Sequence, residues 1–347
     1  MTKYKRGMIS PFTLFAMLFV SRVLVIFGVC NTNFAGTYAP DMIISLAIGF
    51  AIALALCAPI VYAANKHKNL LKPKWLSVIY GVYFLYLGAV SVGRFSFFAS
   101  MEMNVKSKAI FHALLIILAG AYAAWLGIEP ISRFGSFIFG VTVVGIVGVV
   151  AFGVKDFSIL NLFPFTKNST VEIMENAVDF ACETGEIILL AVLAPKVNSK
   201  INKAFFAAIA LSFAVCGLLF VYSSGVLGDI AGIAAFPFYD LSQLSRLGNA
   251  RLDSVYTAFW IFAVFLKCAL FIYCASECFG FKKKETSCAV SAIGMFAIIF
   301  VLSELEFYLH SQILAIVIPF IIFSFIIPII RLIFTKKTKG EILLEKL

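Results

Sequence analysis

The sequence predicts an all-α membrane protein that crosses a bilayer ten times. Of its 347 residues, 62% are hydrophobic and only 13% are charged, and the mean hydropathy is +1.01. Ordinary globular chains are about 45–50% apolar and about 25% charged, so a soluble fold cannot bury this much apolar surface. The apolar residues also occur in runs of roughly 20, the length at which a helix spans the hydrocarbon core of a bilayer.

Ten apolar runs divide the chain into two halves of five spans. Spans 1 to 10 cover residues 10–30, 41–63, 76–99, 109–126, 131–153, 173–194, 204–225, 255–277, 287–303 and 311–333. Secondary transporters are commonly built from two halves of inverted topology. Although the halves share no clear sequence identity, the span count predicts a 5+5 inverted repeat, 10–153 and 173–333, within one transmembrane domain, 1–347.

The distribution of positive charge orients the spans. With the N-terminus inside, the segments predicted to be cytoplasmic contain 19 lysines and arginines, whereas the external loops contain 6. Because cytoplasmic loops carry the excess of positive charge, both termini are predicted to be cytoplasmic, including a tail at 334–347. This bias also accounts for the net charge of +10 without a nucleic-acid partner.

Neither the spacing of the cysteines nor any short motif in the sequence indicates a metal, a cofactor or an enzyme. Most of the eight cysteines lie within spans, and none forms a C-x-x-C pair. The catalytic patterns HExxH, GxSxG and GxGxxG and the phosphate-binding P-loop are also missing from the sequence. We therefore expect no catalytic activity.

Two connecting regions carry structural signals. Glu129-Pro130, ahead of span 5, is typical of a helix start on the cytoplasmic side. The external loop at 226–254 is long for a loop without function, and Pro237 within it is placed to open an amphipathic helix. We interpret this loop as an outer lid; a plain surface loop and a partner contact are the alternatives.

Charged residues inside the spans are the most informative feature. Arg22 lies in span 1, Arg94 in span 3 and Lys267 in span 8. Span 6 contributes three acids, Asp179, Glu183 and Glu186, which share one face if the helix is continuous, and Glu175 extends the same stripe. Each charge left unpaired in a membrane costs about 2.5–3.5 kcal/mol on insertion scales, so these groups must pair, neutralise or face water.

Two interpretations fit these charges. In one, they are structural ion pairs that hold helices together; in the other, they line a polar cavity near the membrane midplane. Asp179 and Arg94 are each as compatible with snorkelling to the interface as with a role in the site. The cavity hypothesis assigns ligand binding to Ser21, Arg22, Arg94, Cys182, Glu183, Thr184, Gly185, Glu186 and Lys267.

A helix break in span 6 would expose backbone groups that can bind a ligand in this cavity. Gly185 weakens the helix by about 1 kcal/mol, and Ser21-Arg22 is the corresponding point of span 1. Spans 1 and 6 of inverted-repeat transporters tend to be interrupted half-helices. Free backbone N–H groups at such a break attract a carboxylate, and acidic side chains attract an ammonium group, so an amino acid zwitterion is the expected ligand.

Four stretches resemble a known family. They are "AYAAWLGIEPISRF" (121–134), "DFACETGEIILLAVLAPKV" (179–197), "FPFYDLSQLSRLGNARLDSVYTAFW" (236–260) and "FLKCALFIYCAS" (265–276). They are similar to the endospore germination permeases, the polytopic B subunits of nutrient-germinant receptors, within the amino acid–polyamine–organocation superfamily. The resemblance runs through nearly the whole chain.

The resemblance implies a 5+5 fold with the ligand held by spans 1, 3, 6 and 8, the spans that carry the charges. It also implies a nutrient-sensing role in the spore inner membrane or cell membrane, with receptor subunits of the A and C types as partners. Arg22 departs from the small, glycine-containing residues usual in span 1, which puts a bare-backbone carboxylate site in doubt. Arg22 either binds the carboxylate itself or neutralises Glu183.

Three functions remain open from the sequence: a nutrient-sensing receptor subunit, a proton-coupled amino acid permease, and an ion or water channel gated by partners. A sensor and a permease need the same difference in ligand affinity between two conformations, so one pocket serves both.

Overall fold

The computed structural model describes residues 7–27, 40–66, 70–103, 108–153, 157–163, 166–198, 200–234, 236–244, 246–247, 250–251, 253–305, 307 and 313–334. These residues are nearly all helical. The predicted tail at 334–347 lies outside them, apart from its first residue.

Thirteen α-helices are found in the described part of the chain. They are α1 Pro11–Phe27, α2 Asp41–Lys66, α3 Lys74–Phe98, α4 Ala109–Leu126, α5 Ile128–Gly153, α6 Thr170–Cys182, α7 Leu190–Leu193, α8 Asn202–Leu227, α9 Ile230–Ile233, α10 Pro237–Leu244, α11 Asp253–Phe279, α12 Lys284–Glu304 and α13 Ile313–Ile321. Short 3₁₀ segments cover Ile159–Leu162, Gly185–Leu189 and Ala194–Lys196, and π-helical turns extend α3 over Ala99–Met103 and α13 over Ile322–Ile326.

Eight helical stretches, counted over the described residues, are long and apolar enough to cross a membrane; the last, Leu314–Phe334, joins α13, its π-helical turn and the helical residues 327–334. They correspond to predicted spans 2 to 5 and 7 to 10. Span 1 appears as a shorter apolar helix, and span 6 is divided between α6, a 3₁₀ segment and α7. An all-α polytopic membrane protein is therefore confirmed, whereas the count of ten and the 5+5 repeat stay predictions.

Helix α11 lies at the centre of the bundle. It packs against α3, α4, α5, α12 and α1, while α2 packs against α6 and α8. All the side chains of α11 from Leu266 to Ala275 are buried. Residues on α11 are therefore positioned to meet those of α1, α3 and the divided span 6.

Helix α3 is tied to α13 where a proline interrupts the hydrogen bonding of α13. Pro319 has no N–H, so the carbonyl of Ala315 loses its usual helical partner. The hydroxyl of Tyr86 on α3 donates to that carbonyl across 3.0 Å, and Tyr80 donates to the carbonyl of Phe323 across 2.8 Å. Backbone groups freed inside a membrane bundle need such replacement partners.

The loop between α8 and α11 folds back onto the bundle. Pro237 begins α10, which confirms the predicted helix. Two short antiparallel strands of two residues each, Arg246–Leu247 and Ala250–Arg251, follow it. Phe236 and Tyr239 contact the ring of Phe98 on α3, at centroid distances of 5.0 and 5.1 Å. The loop therefore covers the ends of α3 and α11, although a lid function remains a prediction.

The helix start predicted at Glu129-Pro130 is confirmed, because α5 begins at Ile128 and places both residues in its first turn. The Glu129 carboxylate accepts a hydrogen bond from the backbone N–H of Gly7. The same N-terminal segment forms a bridge to the end of the divided span, with Ile9 N donating to Lys196 O across 2.8 Å.

Candidate functional site

The divided sixth span forms the centre of the candidate site. Helix α6 starts with a capping box between Ser169 and Glu172 and ends at Cys182. The hydroxyl of Thr184 then donates to the carbonyl of Ala181 across 2.5 Å, and a 3₁₀ turn begins at Gly185. The predicted break at Gly185 is confirmed, since a glycine and a threonine that bonds to its own backbone both disfavour continuation of the helix.

Two features that the sequence left open do not occur in the structure. Helix α1 runs without interruption through Ser21 and Arg22, because the segment from Pro11 to Phe27 contains no glycine and only its first residue is a proline. The acids of span 6 do not share one face of one helix, because Glu183 and Glu186 follow the end of α6. Glu175, the fourth member of the predicted stripe, is exposed.

Lys267 and Glu186 form the more deeply buried of two ion pairs at the break. The Lys267 ammonium on α11 contacts the Glu186 carboxylate in the 3₁₀ turn, and the side chains are only 6% and 3% exposed. The second oxygen of Glu186 accepts no hydrogen bond from the residues that the structure describes.

Arg94 and Glu183 form the second pair. Nη1 of Arg94, on α3, lies 2.7 Å from Oε1 of Glu183, and the side chains are 20% and 13% exposed. Arg94 therefore points into the protein, and the interpretation of this residue as a snorkelling side chain is not supported. Both pairs join span 6 to the helices that the charge pattern had singled out.

Arg22 lies beside the last turn of α6. It is 5% exposed, its Nη2 donates to the backbone carbonyl of Phe180 across 2.8 Å, and its guanidinium lies 4.9 Å from the centre of the Phe213 ring. Asp179, the residue before Phe180, is fully buried. Neither carboxylate oxygen of Asp179 accepts a hydrogen bond in the described part of the chain.

A narrow cavity opens beside the two ion pairs. Its volume is about 20 Å³, room for about one water molecule. Five predicted site residues line it, namely Cys182, Glu183, Gly185, Glu186 and Lys267. The other four predicted site residues do not line the cavity. Arg94 reaches it through its pair with Glu183, and the hydroxyl of Thr184 lies 3.7 Å from the Sγ of Cys57. Ser21 and Arg22 lie outside the lining.

The apolar wall of this cavity was missed from the sequence. It is formed by Tyr86, Leu87 and Val90 of α3, with Phe271 of α11 and Ile316 of α13. Phe271 follows Lys267 by four positions, so helical spacing places it on the same face of α11 and would have identified it. No sequence feature distinguished the α3 and α13 residues from the many other apolar side chains of this chain.

A second cavity lies further along the same set of helices. Its volume is about 360 Å³, and it is lined by Leu71, Lys72, Ser77, Ala191, Val192, Pro195, Lys196, Glu277 and Cys278. Nζ of Lys196 lies 2.6 Å from Oε2 of Glu277 and also contacts the Tyr273 hydroxyl.

The chain is similar to proteins of bacterial spore germination. The family model described as "Spore germination protein" matches residues 9–308. Spore germination protein YndE of Bacillus subtilis (strain 168) is 24% identical over 293 residues, which cover 77% of this chain and 78% of the relative.

Proposed function

The chain belongs to the spore germination protein family, and we propose that it is the permease-like subunit of a nutrient-germinant receptor. In this proposal a small nutrient binds at the break of span 6 and shifts a conformational equilibrium that partner subunits detect. Subunits of the A and C types are the proposed partners. Ten spans in two five-helix halves, cytoplasmic termini and a location in the spore inner membrane or cell membrane complete the proposal.

The observation that carries this function is the convergence of buried charges from α3, α11 and the divided span on one cavity. Buried ionisable groups in a membrane bundle are costly and mark ligand or ion sites unless they only join helices. Here Glu183, Glu186 and Lys267 line empty space next to a helix break, an arrangement that a purely structural ion pair does not need. The apolar wall is suited to a small aliphatic side chain.

An amino acid is the proposed nutrient, because the surroundings of the break contain cations and acids in balanced number. Three cations, Arg22, Arg94 and Lys267, match three acids, Asp179, Glu183 and Glu186, in number. A zwitterion adds no net charge to such a site, whereas an ion of either sign would leave one buried charge uncompensated.

Complementation of a germination-defective strain tests the proposal. In a strain that lacks the gene for this chain, the wild type is expected to restore nutrient-triggered germination, and Glu183→Gln, at equal membrane abundance, is expected to fail. Glu175→Gln is the matched control, because Glu175 is an exposed acid on α6, two helical turns before Glu183. Full germination with Glu183→Gln would contradict the role of the site.

Transport of the amino acid is the second candidate function, and the second cavity favours it. Both cavities are bordered by α3, α11 and the divided span, so a transport route from the break to the Lys196–Glu277 end would run between these elements. Uptake of labelled amino acid by proteoliposomes that contain this chain alone would support a permease. A ligand response without uptake would support a sensor, and ion conductance without ligand would indicate a channel.

A further inference from the structure

The second cavity, beside Lys196 and Glu277, is large enough to hold a ligand of its own. Its volume of about 360 Å³ falls in the range that is usual for small-molecule sites, about 300–1,000 Å³. None of the site residues predicted from the sequence lines it. One side of the cavity is held in place by a hydrogen bond, in which the Ser77 hydroxyl of α3 donates to the Cys278 carbonyl of α11 across 2.8 Å.

This cavity lies at one end of the helix bundle, at the depth of the lipid headgroups. Helix α3 begins at Lys74 and α11 ends at Phe279, so Lys72 and Glu277 lie at the helix ends rather than in mid-span. Trp75, in the first turn of α3, is 67% exposed, and tryptophan is enriched where a bundle meets the membrane interface. The charged groups of the cavity are therefore within reach of a headgroup, on the side predicted to be cytoplasmic.

The charged groups that line the cavity leave an excess of positive charge. Two lysines, Lys72 and Lys196, stand against one acid, Glu277, which gives the lining a net charge of +1. Lys196 is paired with Glu277, whereas the exposed Lys72 forms no ion pair with the residues that the structure describes. A phosphodiester carries a single negative charge, so it would balance this lining, and lysine is a common partner of phosphate oxygens.

An apolar stripe on α3 begins at the cavity and runs along the membrane-facing side of the helix. It consists of Trp75, Val78, Ile79 and Val82, which recur at helical spacings of three and four and are between 38% and 67% exposed. Ser77, which lines the cavity, lies between the first two of them in the chain. A phosphate ester that carries acyl chains can use this stripe, whereas a water-soluble ester cannot.

We propose that this cavity binds a phosphate ester, the phosphodiester headgroup of an anionic phospholipid. Lys72 and Lys196 contact the phosphate oxygens, and the acyl chains lie along the α3 stripe. The phosphate competes with Glu277 for Lys196. A bound lipid joins α3, the last part of span 6 and α11 at one end of the bundle, because the lining comes from all three. The assignment does not rest on the proposed function, since the cavity is separate from the break of span 6.

Native mass spectrometry of the full-length protein in detergent tests the assignment, because it resolves individual bound lipids. The probes are phosphatidylglycerol, which is anionic, and phosphatidylcholine, which is zwitterionic, with identical acyl chains. Wild type is expected to bind phosphatidylglycerol about tenfold or more tightly than phosphatidylcholine. Lys72→Gln is expected to weaken phosphatidylglycerol binding about fivefold and to leave phosphatidylcholine within about twofold of wild type. Glu277→Gln, which releases Lys196, is expected to tighten phosphatidylglycerol binding about threefold or more.

Lys203→Gln is the matched control, because Lys203 is an exposed lysine at the start of α8 that does not line the cavity. Equal weakening by Lys72→Gln and Lys203→Gln would show a general attraction to the basic surface and overturn the assignment, as would equal binding of both lipids by wild type. Weaker phosphatidylglycerol binding by Glu277→Gln would indicate a site for cations and overturn it too.

The soluble headgroup sn-glycero-3-phosphoglycerol distinguishes a lipid from a free phosphate ester. It carries the same phosphodiester without acyl chains, so its affinity for wild type is expected to be at least about 100-fold lower than that of phosphatidylglycerol. Displacement of the lipid by the soluble ester at an equal concentration would overturn the lipid as the ligand of this cavity.

Discussion

Lys267 on α11 and Glu186 in the 3₁₀ turn of span 6 form an ion pair whose side chains are 6% and 3% exposed. The pair joins the most buried helix of the bundle to its one divided span, as judged over the described residues. Its strength therefore bears on both the stability of the fold and the shape of the cavity.

Removing one member of this pair should destabilise the protein strongly. Lys267→Met leaves Glu186 buried without its cation, and we expect a loss of about 3–5 kcal/mol. Lys267→Met combined with Glu186→Gln should recover most of this loss, since replacing both charges is often neutral. Denaturant titration in detergent, alongside amino acid binding in nanodiscs, measures both effects. Recovery of stability without recovery of binding supports the site; recovery of both would indicate a purely structural pair.

Gly185 should tolerate a small side chain but not a large one. A Cβ atom at this position would lie 3.2 Å from the Leu87 side chain, a tight contact that a small shift of Leu87 relieves. Gly185→Ala is thus expected to fold normally, whereas Gly185→Leu should fill the cavity and abolish ligand binding. The matched control is Gly140→Leu, at an exposed helical glycine where an added Cβ atom would meet no other atom within 4 Å. Normal binding by Gly185→Leu would remove the cavity from the site.

The contact between Lys196 and Glu277 should restrict access to the second cavity. Because both side chains are partly exposed, at 23% and 38%, the contribution of the pair to global stability is expected to be at most about 1 kcal/mol. Lys196→Met should instead raise the rate at which a water-soluble maleimide modifies Cys278, which lines this cavity. Mass spectrometry reports the modified residue. Cys216, on α8, is the internal control; an equal rise at both cysteines would indicate general loosening.

Docking of α10 should weaken as the pH rises. Burial raises the pKa of Asp240 above its ordinary value, and the nearby Glu102 carboxylate raises it further. The docked state therefore favours the protonated carboxyl, so its stability is complete below the ordinary pKa of about 3.9 and falls as the pH rises through the raised pKa. Hydrogen exchange of Pro237–Leu244 should accelerate over this range.

The variant Asp240→Asn should remove this pH dependence, because asparagine does not ionise. Asp229→Asn, at an exposed aspartate before α9, should retain it. If hydrogen exchange of α10 in the wild type, corrected for the intrinsic effect of pH, is constant, Asp240 does not control docking.

The sequence was sufficient to predict the spanning helices and the helices on which charges occur, because both follow from composition along the chain. It also predicted the break at Gly185, since glycine and threonine weaken a helix locally. It did not predict that α1 continues through Arg22. That residue is accommodated because its guanidinium reaches the Phe180 carbonyl, a contact between positions 158 residues apart.

Which acid pairs with which cation could not be predicted either. Pairing depends on the rotation of each helix about its axis, and the break at Cys182 changes the direction of every later side chain in span 6. Asp179 illustrates the consequence. Its place near the predicted outer end of the span suggested a residue at the interface, whereas packing of α6 against α2 leaves it fully buried.

Photo-crosslinking with a diazirine analogue of L-leucine tests the central claim most directly, because it locates the bound amino acid. Crosslinking to the full-length protein in nanodiscs, followed by peptide mass spectrometry, should label Leu87, Val90 or Phe271, and an excess of L-leucine should suppress the labelling. Labelling confined to outward-facing residues such as Leu115 and Val144, or labelling that L-leucine does not suppress, would contradict a ligand site at the break of span 6.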